Sequence, residues 1–163
     1  MVDQVAYGNT KMNPDGSFTC QHGEGECESD ILHSCVQYKL ANNLDAIATG
    51  EKSFEAWPFI LCMELAEGDP AMGESCYQSS MSNSSVSWST IDYCATNEGN
   101  TVQTYAAKAT PSHDYVPWVL VDNIVLEHTN LLLKAICDAY TGVPPSSCSP
   151  FSAAKERFCM NSN

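Results

Sequence analysis

Apolar positions in this chain follow one rhythm up to residue 109 and another from residue 116 onward. From Glu24 to Leu40, Cys27, Ile31, Cys35 and Val36 recur at helical spacing, which predicts an amphipathic helix with cysteines on its buried stripe. Glu55 to Glu67 predicts a second helix with Phe59, Ile60 and Met63 on one face. Pro58 belongs in its first turn, because an interior proline breaks the hydrogen-bond ladder. Gly68-Asp69-Pro70 closes that helix, and a short third helix carries Cys76. Ser79 to Ser89 reads as a loop and helix start, since Trp88, Ile91 and Cys94 resume the apolar spacing at once. Val102, Tyr105, Ala106 and Ala109 mark another helix.

The flanks read differently. Val5-Ala6-Tyr7 suits a short strand, and Asn13-Pro14-Asp15-Gly16 is a strong turn signal within the loop from Gly8 to Gly16. Val116 to Val121, VPWVLV, is a continuous apolar run of the kind found in a strand covered on both faces. Asp122-Asn123 is a turn, and Ile124 to Leu126 returns as a hairpin partner. Thr129 or Asn130 caps a helix through Tyr140 that carries Leu132, Leu133, Ile136 and Cys137, and Gly142 with Pro144 stops it. The expected architecture is one α/β domain over residues 1–163. It has a helical insertion at 20–112, a hairpin and terminal helix at 113–142 and a cysteine-containing tail at 143–163.

Charge and cysteine content narrow the function. The 163 residues carry a formal net charge of −13, a field that repels nucleic-acid phosphates and anionic lipid headgroups and so excludes both as partners. Nine cysteines are far more than a reduced cytosolic chain of this size carries, so they read as a disulfide framework made in a secretory compartment. The triplet Asn83-Ser84-Ser85 is a glycosylation acceptor consistent with that route. The opening MVDQVAYGNT has neither the basic nor the apolar region of an export signal, and no apolar run is long enough to span a membrane. The expectation is that this N-terminus is not that of the complete precursor.

The stretch from Cys20 to Cys27, CQHGEGEC, admits three chemistries. As a zinc site, Cys20, His22, Cys27, His33 and Cys35 supply enough ligands. However, Cys27 and Cys35 on one helix stand roughly 12 Å apart along its axis, too far for one ion to join readily. A redox pair needs a nucleophilic thiolate and a resolving thiol within about one turn. The smallest spacing here, Cys20 to Cys27, is seven residues. The third reading is a structural corner, with a turn through Gly23 and Gly25, His22 hydrogen-bonding within it and Cys27 bridged elsewhere. No metal and no cofactor is expected.

These residues also carry a resemblance. CQHGEGEC followed by Cys35 resembles the signature of the gamma-interferon-inducible lysosomal thiol reductase family. The likeness extends through Tyr7-Gly8-Asn9, Leu61-Cys62-Met63-Glu64, Cys76, Asp92-Tyr93-Cys94, His113-Asp114-Tyr115-Val116-Pro117-Trp118-Val119, Ile136-Cys137 and Cys148. It implies a thioredoxin-like fold with an inserted, disulfide-bonded helical subdomain, reducing disulfides of unfolded or disulfide-containing polypeptides in lysosomes or the secretory pathway. It further implies a cis proline at Val116-Pro117 beside the substrate, making Val116, Pro117 and Trp118 the candidate substrate contacts.

The likeness has one gap. In the family a CxxC pair precedes the strand that leads into Tyr-Gly-Asn, whereas this chain begins at that second strand. With the first strand and helix missing, the expectation is a fragment of a complete reductase that is inactive as it stands, with no catalytic residue. The alternative is a catalytically disarmed, secreted binding protein using the cis-proline face. Cys20, Cys27, Cys35, Cys62, Cys76, Cys94, Cys137 and Cys148 are the structural disulfide candidates. Their order leaves the pairing open, with Cys62–Cys76 and Cys137–Cys148 the plausible neighbours. Cys159 is the candidate for a free thiol or a disulfide between two chains.

Overall fold

The computed structural model describes residues 3–151, in two compact units that meet at Asp114 and Tyr115. The first unit is helical. Its central helix, α1 (Glu24–Ala41), starts after Gly23, whose φ of 99° suits glycine, and carries Glu24 and Glu26 in the first turn, where the helix dipole favours negative charge. It ends at Asn42 in the left-handed conformation, with the Asn42 amide bonded to the Tyr38 carbonyl. A one-turn helix, α2 (Ala46–Thr49), buries Ala46 and Ile47, and α3 (Ser53–Leu65) and α4 (Gly73–Ser80) follow. The long α5 (Trp88–Ala109) is capped by Ser87, whose side chain accepts from the Thr90 amide.

Helices α1 and α5 form the spine. Gln103 Nε2 donates to the Cys27 carbonyl, Ile31 packs over Gly99, and Cys35 is bonded to Cys94. As one helix ascends the other descends, so the pair is antiparallel. A Cβ on Gly99 would come within 3.2 Å of Ile31, which explains a glycine inside a helix at this crossing. Around the spine, Cys35, Val36, Ile47, Phe59, Met63, Ile91, Cys94 and Val102 are all fully buried. A series of rings links four helices: His33 to Phe59 and Phe59 to Tyr77, both edge-on at 5.9 Å, and Tyr77 to Trp88, tilted at 5.7 Å between centroids.

Three expectations for this unit need correction. Val5-Ala6-Tyr7 is not a strand: Tyr7 lies in a turn whose carbonyl accepts from the Thr10 amide. No strand lies alongside these residues among those described, and a strand is held by its neighbour. The sheet of this unit is instead the hairpin of β1 (Lys11–Met12) and β2 (Phe18–Thr19). Pro58 sits in the second turn of α3, not the first. The amide it lacks would have met the Phe54 carbonyl, and Phe54 is exposed, so water can serve that oxygen. The segments around Trp88 and Val102 are one continuous helix rather than two, because Gly99 is an approach point and not a break.

The second unit begins with Tyr115. Its two strands, β3 (Leu120–Val121) and β4 (Ile124–Val125), pair antiparallel, with Leu120 opposite Val125 and Val121 opposite Ile124. Asp122 and Asn123 both have positive φ, 50° and 63°, the turn expected of this dipeptide in a two-residue hairpin. The VPWVLV run is thus a strand over its last two residues only, and Val116, Leu120, Ile124 and Val125 are exposed rather than covered on both faces. A 3-10 turn (Thr129–Leu131) leads into α6 (Leu132–Ala139), with no side-chain cap from Thr129 or Asn130. Taken together, the described residues form a helix-rich mixed fold with two small sheets.

Candidate functional site

Two places collect the residues singled out above, and the first is the corner before α1. Cys20 and Cys27 are bonded to each other, closing the CQHGEGEC loop on itself, so Cys27 is not bridged elsewhere. Three residues of α1 follow Gly23 before Cys27, and one helical turn brings its sulfur back over the corner, with Cα atoms 5.6 Å apart. Around the bridge, Thr10 Oγ1 donates to Cys20 Sγ at 3.2 Å, and Asn9 Nδ2 donates to Gln21 Oε1 at 2.7 Å. The His22 amide donates to Glu26 Oε2 at 2.6 Å, while the His22 ring lies 3.3 Å from Glu26 Oε1. His113 stands 3.3 Å from Asn9 Oδ1 through Nε2 and 2.9 Å from the Pro111 carbonyl through Nδ1. Tyr7-Gly8-Asn9, CQHG and His113 are thereby joined by one hydrogen-bonded network.

Behind that corner lie two titratable groups: Asp30, which the reading of the sequence passed over, and His33, which it weighed only as a zinc ligand. Asp30, one turn on from Glu26 in α1, is pushed up to about 7 by burial, with repulsion from Glu26 and Glu64 adding and a hydrogen bond with Thr10 opposing. Burial likewise holds His33 down to about 4, and its Nε2 has no hydrogen-bond partner. The Glu26-to-Asp30 spacing, two acids four residues apart, was the available signal.

The remaining cysteines are tied in pairs. Cys35 bonds Cys94 between α1 and α5, Cys62 bonds Cys76 between α3 and α4, and Cys137 at the end of α6 bonds Cys148. These four bridges use all eight of the cysteines described, and a disulfide sulfur offers neither a nucleophilic thiolate nor a zinc ligand. Cys159 lies outside the described residues. Asn83 is exposed in a turn between α4 and α5, open to a glycan.

In the second unit, the Val116-Pro117 bond is cis, and both residues are exposed. Trp118 is half-buried and meets the ring of Tyr115 edge-on, with centroids 5.1 Å apart. Tyr115, 39% exposed and absent from the expected contacts, therefore extends the same apolar surface.

The family profile for "Gamma interferon inducible lysosomal thiol reductase (GILT)" matches residues 1–80, the part that holds the CQHGEGEC corner. The protein "Gamma-interferon-inducible lysosomal thiol reductase" of Mus musculus is 32% identical over 167 residues, spanning 97% of this chain. The chain belongs to the GILT family. A GILT relative of the same name from Carassius auratus is 30% identical over 181 residues, or 98% of this chain. "Gamma-interferon-responsive lysosomal thiol protein" of Arabidopsis thaliana is 29% identical over 143 residues, covering 83% of this chain and 54% of its own length. The chain spans 64% of the length of the Carassius relative and 62% of the Mus one. Its family is thus one of thiol reductases, and the CQHGEGEC corner lies within the part of the chain that the GILT profile matches.

Proposed function

We propose that this chain is the disulfide-clamped scaffold and client-contact surface of a thiol reductase of the lysosome and secretory pathway, and that by itself it does not reduce disulfides. One observation carries the reading: every described cysteine is already committed to a bridge, so none is poised to attack another disulfide. In this reading the whole protein has a thioredoxin-like fold. The β3–β4 hairpin, α6 and the preceding Val116-Pro117 belong to that fold, and the helices from α1 to α5 form its insertion. Support comes from the hairpin-then-helix order of the second unit and from the lysosomal thiol reductases to which the chain is similar. The clients are disulfide-containing or unfolded polypeptides, which meet Val116, Pro117 and Trp118.

The test is dithiothreitol-coupled reduction of a disulfide-bonded protein by the purified 163 residues at acid pH. The expected rate is that of dithiothreitol alone, and a robust protein-dependent rate overturns the reading. The exposed Tyr115 and Val116 favour a second function, a secreted binding protein that uses this surface without redox chemistry. There Trp118→Ala should abolish partner capture without lowering the melting temperature; capture that persists rules the surface out. A disulfide between two chains through Cys159 belongs to the same proposal. A double-mass band under non-reducing conditions that Cys159→Ser removes would support it.

A further inference from the structure

Helix α3 is apolar on the face that water sees as well as on the face that packs. Ala56, Phe59, Ile60 and Met63 enter the core, while Phe54 (91% exposed), Trp57 (47%), Leu61 (42%) and Leu65 (79%) stand outside. Their steps of three, four and four residues set them in one stripe, about 16 Å long. Exposed apolar residues are ordinary when scattered; a contiguous row on one helix marks a surface that binds. Pro58 lies in the same exposed segment, so the ridge also carries a stretch without a backbone donor.

The margin of the stripe is acidic. Glu51, Glu55, Glu64 and Glu67 are exposed at its two ends, and the nearby cation Lys52 is engaged with Glu55 at 2.6 Å. We propose that this ridge docks a cationic, amphipathic segment of a client polypeptide, its apolar residues on Phe54, Trp57, Leu61 and Leu65 and its Lys or Arg residues on the flanking glutamates. Charge decides the occupant. A second copy would set the same acidic margin against itself, and the whole chain carries −13. The stripe also offers on the order of 500 Å², short of the roughly 800 Å² per partner of a stable dimer. A cationic segment meets both the apolar row and its rim, as an amphipathic helix laid along a hydrophobic surface does.

The inference rests on the reading of this chain as a scaffold for polypeptide clients, and its test is independent of any redox step. The probe is a fluorescein-labelled, cysteine-free 15-residue peptide with leucines at helical spacing flanked by lysines, followed by anisotropy. A second peptide replaces its lysines with glutamates. The purified chain should bind the lysine peptide and not the glutamate one. Phe54→Ser with Leu65→Ser, both exposed positions, should weaken binding at least tenfold with an unchanged circular dichroism spectrum. Glu64→Gln with Glu67→Gln should weaken it about threefold and lessen its salt dependence, whereas Val143→Ser, an exposed site on the other unit, should leave it unchanged. Equal binding of both peptides, no binding of either at millimolar concentration, or an unaffected Phe54/Leu65 variant overturns the proposal. So does self-association of the wild-type chain, seen in sedimentation, that the same variant abolishes. Failure of the peptide arm leaves the reductase assay untouched, so the two readings fail separately.

Discussion

Replacing Cys35 and Cys94 together by alanine removes the bridge between the two spine helices, and the cost can be worked from chain separation. The bond closes 59 residues, against seven for Cys20–Cys27 in the same unit. In the loop-closure account, the freed unfolded chain gains entropy worth about 4 kcal/mol for the long loop and about 2.4 kcal/mol for the short one. Both Cys35 and Cys94 are fully buried, so the lost sulfur also leaves a small void that adds to the larger figure. A loss of that size is about a quarter or more of the stability of an ordinary domain. The assay is urea unfolding followed by far-ultraviolet circular dichroism, comparing the Cys35→Ala/Cys94→Ala and Cys20→Ala/Cys27→Ala variants with the parent. The long-loop variant should be less stable than the short-loop one by at least about 1.5 kcal/mol. Equal losses, or a greater loss at Cys20–Cys27, would refute the claim that closure of the long loop holds the helical unit together.

Stability against pH should show two opposing slopes. The folded chain keeps the Asp30 proton up to about 7 where an ordinary aspartate has lost it by 3.8, so this contribution falls as pH rises between those values. It also refuses the His33 proton down to about 4, so that contribution falls as pH drops from 6.5. Asp30→Asn should therefore expose a loss of stability on acidification between pH 6.5 and 4, and His33→Gln the reverse; parallel urea midpoints for both variants and the parent would dismiss the scheme. Gly73→Ala should destabilise by about 1–3 kcal/mol in thermal melts, since its Cβ would come within 2.9 Å of Leu32 and 3.0 Å of Trp88. Expressed through a eukaryotic secretory pathway, the chain should show a mobility shift sensitive to peptide N-glycosidase that Asn83→Gln removes; a shift that survives the substitution places the glycan elsewhere.

The helices were legible because their apolar positions are periodic. Phe59, Ile60 and Met63 alone orient α3, and Cys27, Ile31 and Cys35 orient α1. Asp122-Asn123 announced its hairpin because few dipeptides accept two positive φ values in succession. Pro58 misled because the rule against interior prolines assumes that the orphaned carbonyl is buried, and here it belongs to an exposed turn. The split of α5 into two helices came from reading its apolar clusters separately; the side chain that fills the space over Gly99, Ile31, lies on another helix and shows in no local pattern.

Composition alone determined that the chain is acidic and rich in cysteine, and the run of local motifs placed it beside the thiol reductases. Sequence order could not say which sulfur meets which, because pairing depends on Cα separations of 5–6 Å between residues as far as 59 positions apart. Only the packed helices bring Cys35 to Cys94, bury His33 and half-bury Asp30. The same packing leaves the Phe54-to-Leu65 stripe outside, since a helix apolar all round can turn only one of its faces to a core.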